Sequence, residues 1–179
     1  RMNVELDAGN YTLIAYGGLA CGKTSFSFPQ FTRATKLNEL YVALKHNNFT
    51  SNEALHGLYY GKLNVSLQED DFVEGTVYMM KNTNNIRIVL QHLSGKPVEV
   101  EKFHFTITDK NGLMNYDNSL LLDEVLTYQA WRKDQGSASL GDPSLGTEDG
   151  TTLNVAIAEL TVGRLMADME PVLTITNDE

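Results

Sequence analysis

An all-β chain is what the sequence predicts, and three observations carry it. Apolar residues recur with a period of two, polar turn-forming clusters separate those runs, and a single stretch has helical spacing. Val4 and Leu6 alternate with polar neighbours, and Tyr11-Thr12-Leu13-Ile14-Ala15-Tyr16 is a β-branched and aromatic run closed by Gly17-Gly18. Phe103, Phe105 and Ile107 fall on one face of a strand whose other face carries His104, Thr106 and Thr108. Half-buried antiparallel strands need this alternation, because successive side chains point to opposite faces. Further strands are expected over residues 77–80, 86–90, 113–116, 126–131, 153–162 and 172–176.

The connections are read from turn chemistry. Lys81-Asn82-Thr83-Asn84-Asn85 has the length and polarity of a hairpin loop between 77–80 and 86–90. Asp109-Lys110-Asn111-Gly112 predicts a second hairpin, with Asn-Gly in a type I′ turn. In residues 35–46, Leu37, Leu40, Tyr41 and Leu44 stand at i, i+3, i+4 and i+7, which predicts one short helix on a connection. The Gly-, Ser- and Asp-rich stretch 134–150 reads as a long surface loop. An acidic break at Gln68-Glu69-Asp70-Asp71 suggests a boundary near residue 70. The part before it is small for an independent sandwich, so the halves share a core or the first lacks strands.

Composition narrows the function. The chain has 179 residues, about one domain by length and at most two small ones. Fourteen Lys and Arg against 23 Asp and Glu give a net charge of −9, which disfavours binding to a phosphate backbone, so no nucleic-acid partner is expected. The single cysteine, Cys21, allows no internal disulfide and no Cys-based zinc site. No apolar run approaches the ~18 residues of a membrane-spanning helix. Residue 1 is an Arg with no signal-like segment, so a processed product or a fragment is expected, and the ends do not give a location.

Gly17-Gly18-Leu19-Ala20-Cys21-Gly22-Lys23-Thr24 satisfies the phosphate-loop pattern letter for letter. In such a loop Lys23 would reach phosphates, Thr24 would hold magnesium, and a helix would open at the Gly-Lys-Thr. Here Ser25-Phe26-Ser27-Phe28 alternates with strand period, and Pro29 would cost a helix about 3 kcal/mol in its second turn. The pattern is therefore read as a glycine-rich turn, and a nucleotide-binding protein is the last of three alternatives.

No other constellation demands an enzyme, and no catalytic group, cofactor or metal site is expected. His46, His56, His92 and His104 lack metal-ligand spacing, and Asp142, Glu148 and Asp149 do not form a calcium-loop pattern. No G-x-S-x-G turn is present, and Cys21 has no assignable histidine partner. Tyr59, Tyr60, Tyr116 and Trp131 could stack on sugars, which makes an extracellular carbohydrate-binding module the second alternative.

The order of several segments resembles the fimbrium anchor proteins of Bacteroidales, the FimB-like family. The segments are Leu6-Asp7-Ala8-Gly9-Asn10-Tyr11-Thr12-Leu13 before Gly17-Gly18, Leu58-Tyr59-Tyr60-Gly61, and Lys81-Asn82-Thr83-Asn84-Asn85-Ile86-Arg87-Ile88. They continue with Asp109-Lys110-Asn111-Gly112, Asn115-Tyr116-Asp117-Asn118, Ala158-Glu159-Leu160-Thr161-Val162-Gly163-Arg164 and Leu173-Thr174-Ile175-Thr176-Asn177. The resemblance implies two tandem transthyretin-like, Greek-key antiparallel β-sandwiches. Residues 1–70 would be the later part of the first, and 71–179 the second without its last strands. It also implies a non-enzymatic cell-surface subunit that assembles with other fimbrial subunits by strand donation, with the precursor held to the outer membrane by a lipid outside this chain and glycans as further partners. Family members begin with a lipid-carrying cysteine, and Cys21 does not stand in that position. Two sandwiches would leave fewer than about 15% of residues helical, against the usual third.

Overall fold

A computed structural model describes residues 2–19, 24–30, 32, 34–92, 96–140 and 151–178, with the side chains of 138–140 and 151–153 excepted. Strands make up 48% of it and helical turns 6%, with no helix of 7 residues or more, so the chain is all-β as its periodicity predicts. The first strands are β1 (Gly9–Gly17), β2 (Phe26–Ser27), β3 (Tyr41–Leu44), β4 (Thr50–Ser51), β5 (Tyr59–Leu67), β6 (Met80–Lys81) and β7 (Asn84–Leu90). They are followed by β8 (Phe103–Asp109), β9 (Leu113–Asn115), β10 (Leu120–Leu121), β11 (Leu126–Gln129), β12 (Arg132–Leu140), β13 (Thr151–Val162) and β14 (Val172–Asn177).

The strands form four sheets, in the orders β1-β5-β6, β10-β9-β3-β2, β14-β8-β11-β4 and β12-β13-β7. Pairing is antiparallel except between β4 and β11. β1 and β5 pair in full register from Gly9 opposite Leu67 to Gly17 opposite Tyr59. Tyr11, Leu13 and Ala15 share one face with Val65 and Leu63, while Asn10, Thr12, Asn64 and Ser66 share the other. Thr12 donates across that polar face to Asn64 Oδ1 at 3.0 Å.

One buried cluster unites the other three sheets. Phe26, Val42 and Leu44 meet Phe105, Ile107, Met114, Leu126, Tyr128, Leu160 and Val162 in it. At about 25 cal/mol per Å² of buried apolar surface, such a cluster is the main favourable term of the fold. β3 pairs with β9 and β4 with β11, so hydrogen bonds as well as core contacts cross residue 70. The acidic stretch 68–71 is a turn after β5, with Asp70 at φ 61°.

Four local expectations are corrected. Residues 35–46 are not a helix: Leu37–Glu39 is a single 3₁₀ turn and Tyr41–Leu44 is β3. The helical spacing omits Val42, which is fully buried, and burial along β3 alternates with period two, so tertiary packing overrides the local pattern. The expected hairpin between 77–80 and 86–90 does not form. β6 pairs with β5, and β7 pairs with β13, Ile86 opposite Leu160 and Ile88 opposite Ala158. The 109–112 turn does not make a hairpin either, since β8 and β9 lie in different sheets. Neither Asn111 nor Gly112 has the positive φ that a type I′ turn requires. Finally, the Gly- and Ser-rich stretch from Asp134 to Leu140 is most of β12, not a loop. At Gly136 the Ile157 side chain fills the space that a Cβ would take, and the Gln135 amide binds the Val98 and Val155 carbonyls and the Val100 N–H. Residues 141–150 lie outside the described residues.

After β1 the chain turns at Gly18, with φ 88° and a Cβ position that overlaps the Gly57 carbonyl oxygen. No side chain fits there without moving the backbone that leads into β5. Gly18→Ala is expected to lower stability by about 1–3 kcal/mol from the left-handed backbone alone, and by more from the clash. Equilibrium urea unfolding measures it; an unchanged midpoint would refute the assigned turn.

Candidate functional site: an open strand edge and a polar pocket

Two features remain once the core is assigned. The first is β14. It pairs on one side with β8, from Val172 opposite Thr108 to Asn177 opposite Phe103, and all six of its residues are exposed. Leu173 stands opposite Ile107, and Ile175 opposite Phe105, so both continue the row of the buried core face. Yet they are 51% and 36% exposed. Among the described residues β14 thus pairs on one side only, and it carries alternate apolar side chains on one face.

The second feature is a pocket of about 290 Å³ between the β9–β10 loop and the segment after β13. It is lined by Asp117, Asn118, Ser119, Leu120, Arg164 and Met166, among others. Its walls are set by a buried amide chain. The Tyr128 hydroxyl donates to Asn111 Oδ1 at 2.5 Å, and Asn111 Nδ2 donates to the Arg164 carbonyl at 3.1 Å. The Arg164 guanidinium in turn donates to the Asn118 carbonyl. Asn118 and Asn82 exchange amide bonds of 2.5 and 3.3 Å, and both are buried. Asn118 has φ 68°, a left-handed conformation that asparagine tolerates. The Ser119 hydroxyl, and after it the Ser119 N–H, hold the exposed Asp117 carboxyl below its usual range.

Beside this chain lies a less comfortable group. Asp109 is buried, and its Oδ1 accepts the Lys110 N–H at 2.7 Å, while Oδ2 has no hydrogen-bond partner. Burial pushes its carboxyl upward, the Lys110 bond opposes this, and the charge of Asp168 adds to it. Burial likewise pushes the Tyr128 hydroxyl up.

The structure separates the four aromatic candidates. Tyr60 is a core residue, packed edge-on to Tyr16 at 5.5 Å, with its hydroxyl on the Tyr116 carbonyl at 3.0 Å, so it offers no free face. Tyr116 is half-buried in the same place. Tyr59, on β5 of the β1-β5-β6 sheet, and Trp131, just before β12 of the β12-β13-β7 sheet, are each 38% exposed. Asn82, Asn111, Asn118 and Arg164 carry no site signal in the sequence; the Asn-rich and Asn-Gly stretches read as solvated turns, whereas their amides are buried.

At Thr24 no helix opens. Its hydroxyl accepts the Phe26 N–H at 3.2 Å, and β2 follows directly, in keeping with the strand period of Ser25-Phe26-Ser27-Phe28. Cys21 and Lys23 lie outside the described residues, as do Asp142, Glu148 and Asp149. Among the described residues, no three His, Cys, Asp or Glu side chains gather as metal ligands, and no helix is long and apolar enough to cross a membrane.

The class that these features define is an all-β chain whose last strand is an exposed sheet edge with alternate apolar side chains. Comparison narrows the class. The family profile of the fimbrillin-A associated anchor proteins Mfa1 and Mfa2 matches residues 1–179, and the chain belongs to that family. A crystal structure of a candidate adhesin from Bacteroides thetaiotaomicron is 43% identical, with a TM-score of 0.82, over 99% of this chain and 58% of that one. A candidate polysaccharide-binding protein from the same organism is 24% identical, with a TM-score of 0.78, over 98% of this chain and 57% of that one. The fimbrial anchor protein Mfa2 of Porphyromonas gingivalis shares the fold, with a TM-score of 0.67 at 16% identity, over 96% of this chain and 57% of that one. Among curated proteins none matches. The chain spans less than two thirds of the length of these solved relatives.

Asp109 gives a signed prediction. A carboxyl whose folded-state pKa is raised contributes stability only at low pH, and that contribution is lost as pH rises through the raised value. Asp109→Asn is therefore expected to be more stable than wild type at pH 7, with the advantage shrinking as pH falls. Urea midpoints measured from pH 3 to pH 8 check it; a destabilised variant at pH 7 would show that the buried carboxylate has a partner.

Proposed function

We propose that this chain is part of a cell-surface fimbrial subunit, an anchor or adhesin, that works by protein–protein assembly and performs no chemistry. Membership of the fimbrillin-A associated anchor family supports the reading, and the open edge of β14 is the observation that carries it. In strand donation, an extended segment of one subunit adds to a sheet edge of another. Main-chain hydrogen bonds supply affinity, and alternate side chains fill apolar positions. β14 supplies both halves of that requirement, with Leu173 and Ile175 as the uncovered apolar positions. The partners are other fimbrial subunits, and the location is the outer membrane surface, through a lipid carried by the longer precursor.

The two-sandwich division is proposed in a form that respects the pairs crossing residue 70. The β1-β5-β6 sheet belongs to the first sandwich, whose later part lies within 1–70 and which takes β6 (Met80–Lys81) from beyond that boundary. Residues 71–179 form the second, which borrows β2, β3 and β4 from the earlier part. Glycan binding is a second reading, favoured by the exposed rings of Tyr59 and Trp131 and by a pocket of mixed polar character. Nucleotide binding has no support in the strand that follows Thr24.

The assembly reading is tested on the protein from its native cells. Mixed with isolated fimbrial subunits, it is expected to co-elute by size exclusion. Leu173→Lys with Ile175→Lys is expected to weaken that association at least tenfold while the melting temperature stays close to wild type, since both side chains are already substantially exposed. Undiminished co-elution of the double variant would remove β14 as the acceptor edge. Mass spectrometry of the native N-terminus is expected to find an acylated cysteine; an unmodified cytosolic start would overturn the surface location.

A further inference from the structure

We propose that the pocket between the β9–β10 loop and the segment after β13 binds a single neutral, hydroxyl-rich sugar unit. The inference rests on the glycan-binding reading and moves the site away from the exposed aromatics. With a volume of about 290 Å³, the pocket stands at the small end of ligand sites, room for one ring and not for an oligosaccharide.

The chemistry of the lining selects the ligand. Asp117 and Asp168 are acceptors and the Arg164 guanidinium is a donor, and among the described residues none of the three is in an ion pair with another. Asp117 accepts the Ser119 bonds on Oδ1; Arg164 commits one N–H to the Asn118 carbonyl and has others to give. Donors and acceptors of opposite charge, held apart around one cavity, suit a ligand whose groups both donate and accept. Adjacent hydroxyls do so. A phosphate or carboxylate would meet two carboxylates, and a divalent cation would meet the guanidinium. Leu120 and Met166 supply an apolar wall for the C–H face of a ring.

Asp117 and Arg164 are also held in advance, which lowers the ordering cost of binding. The buried Asn82–Asn118 pair holds the left-handed residue next to Asp117, and Asn111 holds the Arg164 backbone. The neighbouring loop bond from Ser119 fixes the orientation of the Asp117 carboxylate.

Saturation-transfer NMR of the intact chain with the methyl glycosides of glucose, galactose, mannose and N-acetylglucosamine at millimolar concentration tests the site. At least one is expected to bind. Asp117→Asn and Asp168→Asn, both at exposed positions, are each expected to weaken it at least tenfold, and Trp131→Ala to leave it unchanged. If Trp131→Ala abolishes binding while both Asp variants bind as wild type, the glycan reading stands and the pocket assignment falls. If none of the four sugars binds but a polysaccharide panel does, the single-unit site falls alone. If nothing binds in either format, both fall.

Discussion

The buried side-chain amides of Asn82, Asn111 and Asn118 hold the layers of this molecule in place. Tyr128 comes from the β14-β8-β11-β4 sheet, and Arg164 leaves the β12-β13-β7 sheet. Asn118 sits in the loop between β9 and β10, and Asn82 lies between β6 and β7. The hydrogen bonds from Tyr128 through Asn111, Arg164 and Asn118 to Asn82 therefore touch all four sheets. Apolar packing is non-directional and would hold the sheets together at several relative positions. A buried amide left unpaired incurs its full desolvation penalty, so a chain of them tolerates one arrangement only. Asn82 N–H on the Leu58 carbonyl and Asn84 Nδ2 on the Gly163 carbonyl extend the same constraint to β5 and to the end of β13.

This explains which parts of the fold were legible in the sequence. Period-two alternation is a property of one strand, so β1, β8, β13 and β14 could be read from their own residues. Partners are not a local property. Asn111-Gly112 has the composition of a hairpin turn, but its amide is committed to Tyr128 and Arg164, and the chain changes sheet there. The Asn-rich stretch after β6 misleads in the same way, because a buried asparagine and a solvated one have the same letter. β12 was hidden by Gly136 and its serines. Its strand character comes from β13, whose Ile157 fills the space a side chain would take.

The candidate sites were legible only in part. The resemblance of the chain to fimbrial anchors rests on the order of short segments, and family membership bears it out. The aromatic candidates followed from residue type alone, and burial sorts them: Tyr60 belongs to the Tyr16–Phe28–Tyr60 cluster, and Trp131 is half-free. The pocket had no sequence signal, since Asp117 and Arg164 are far apart in the chain and meet through amides that the sequence assigns to turns.

The pocket and the open edge are joined by one piece of chain. The segment that leaves β13 at Gly163 carries Arg164, Met166, Asp168 and Met169 along the pocket, turns at the left-handed Glu170, and becomes β14 at Val172. Its far end is held by β8 and its near end by the amide chain through Asn111. On the two proposed readings, a partner strand would act on the far end and a pocket ligand on the near end. Both would then meet on one segment, which the β8 pairing and the Asn111 amide already hold at its two ends.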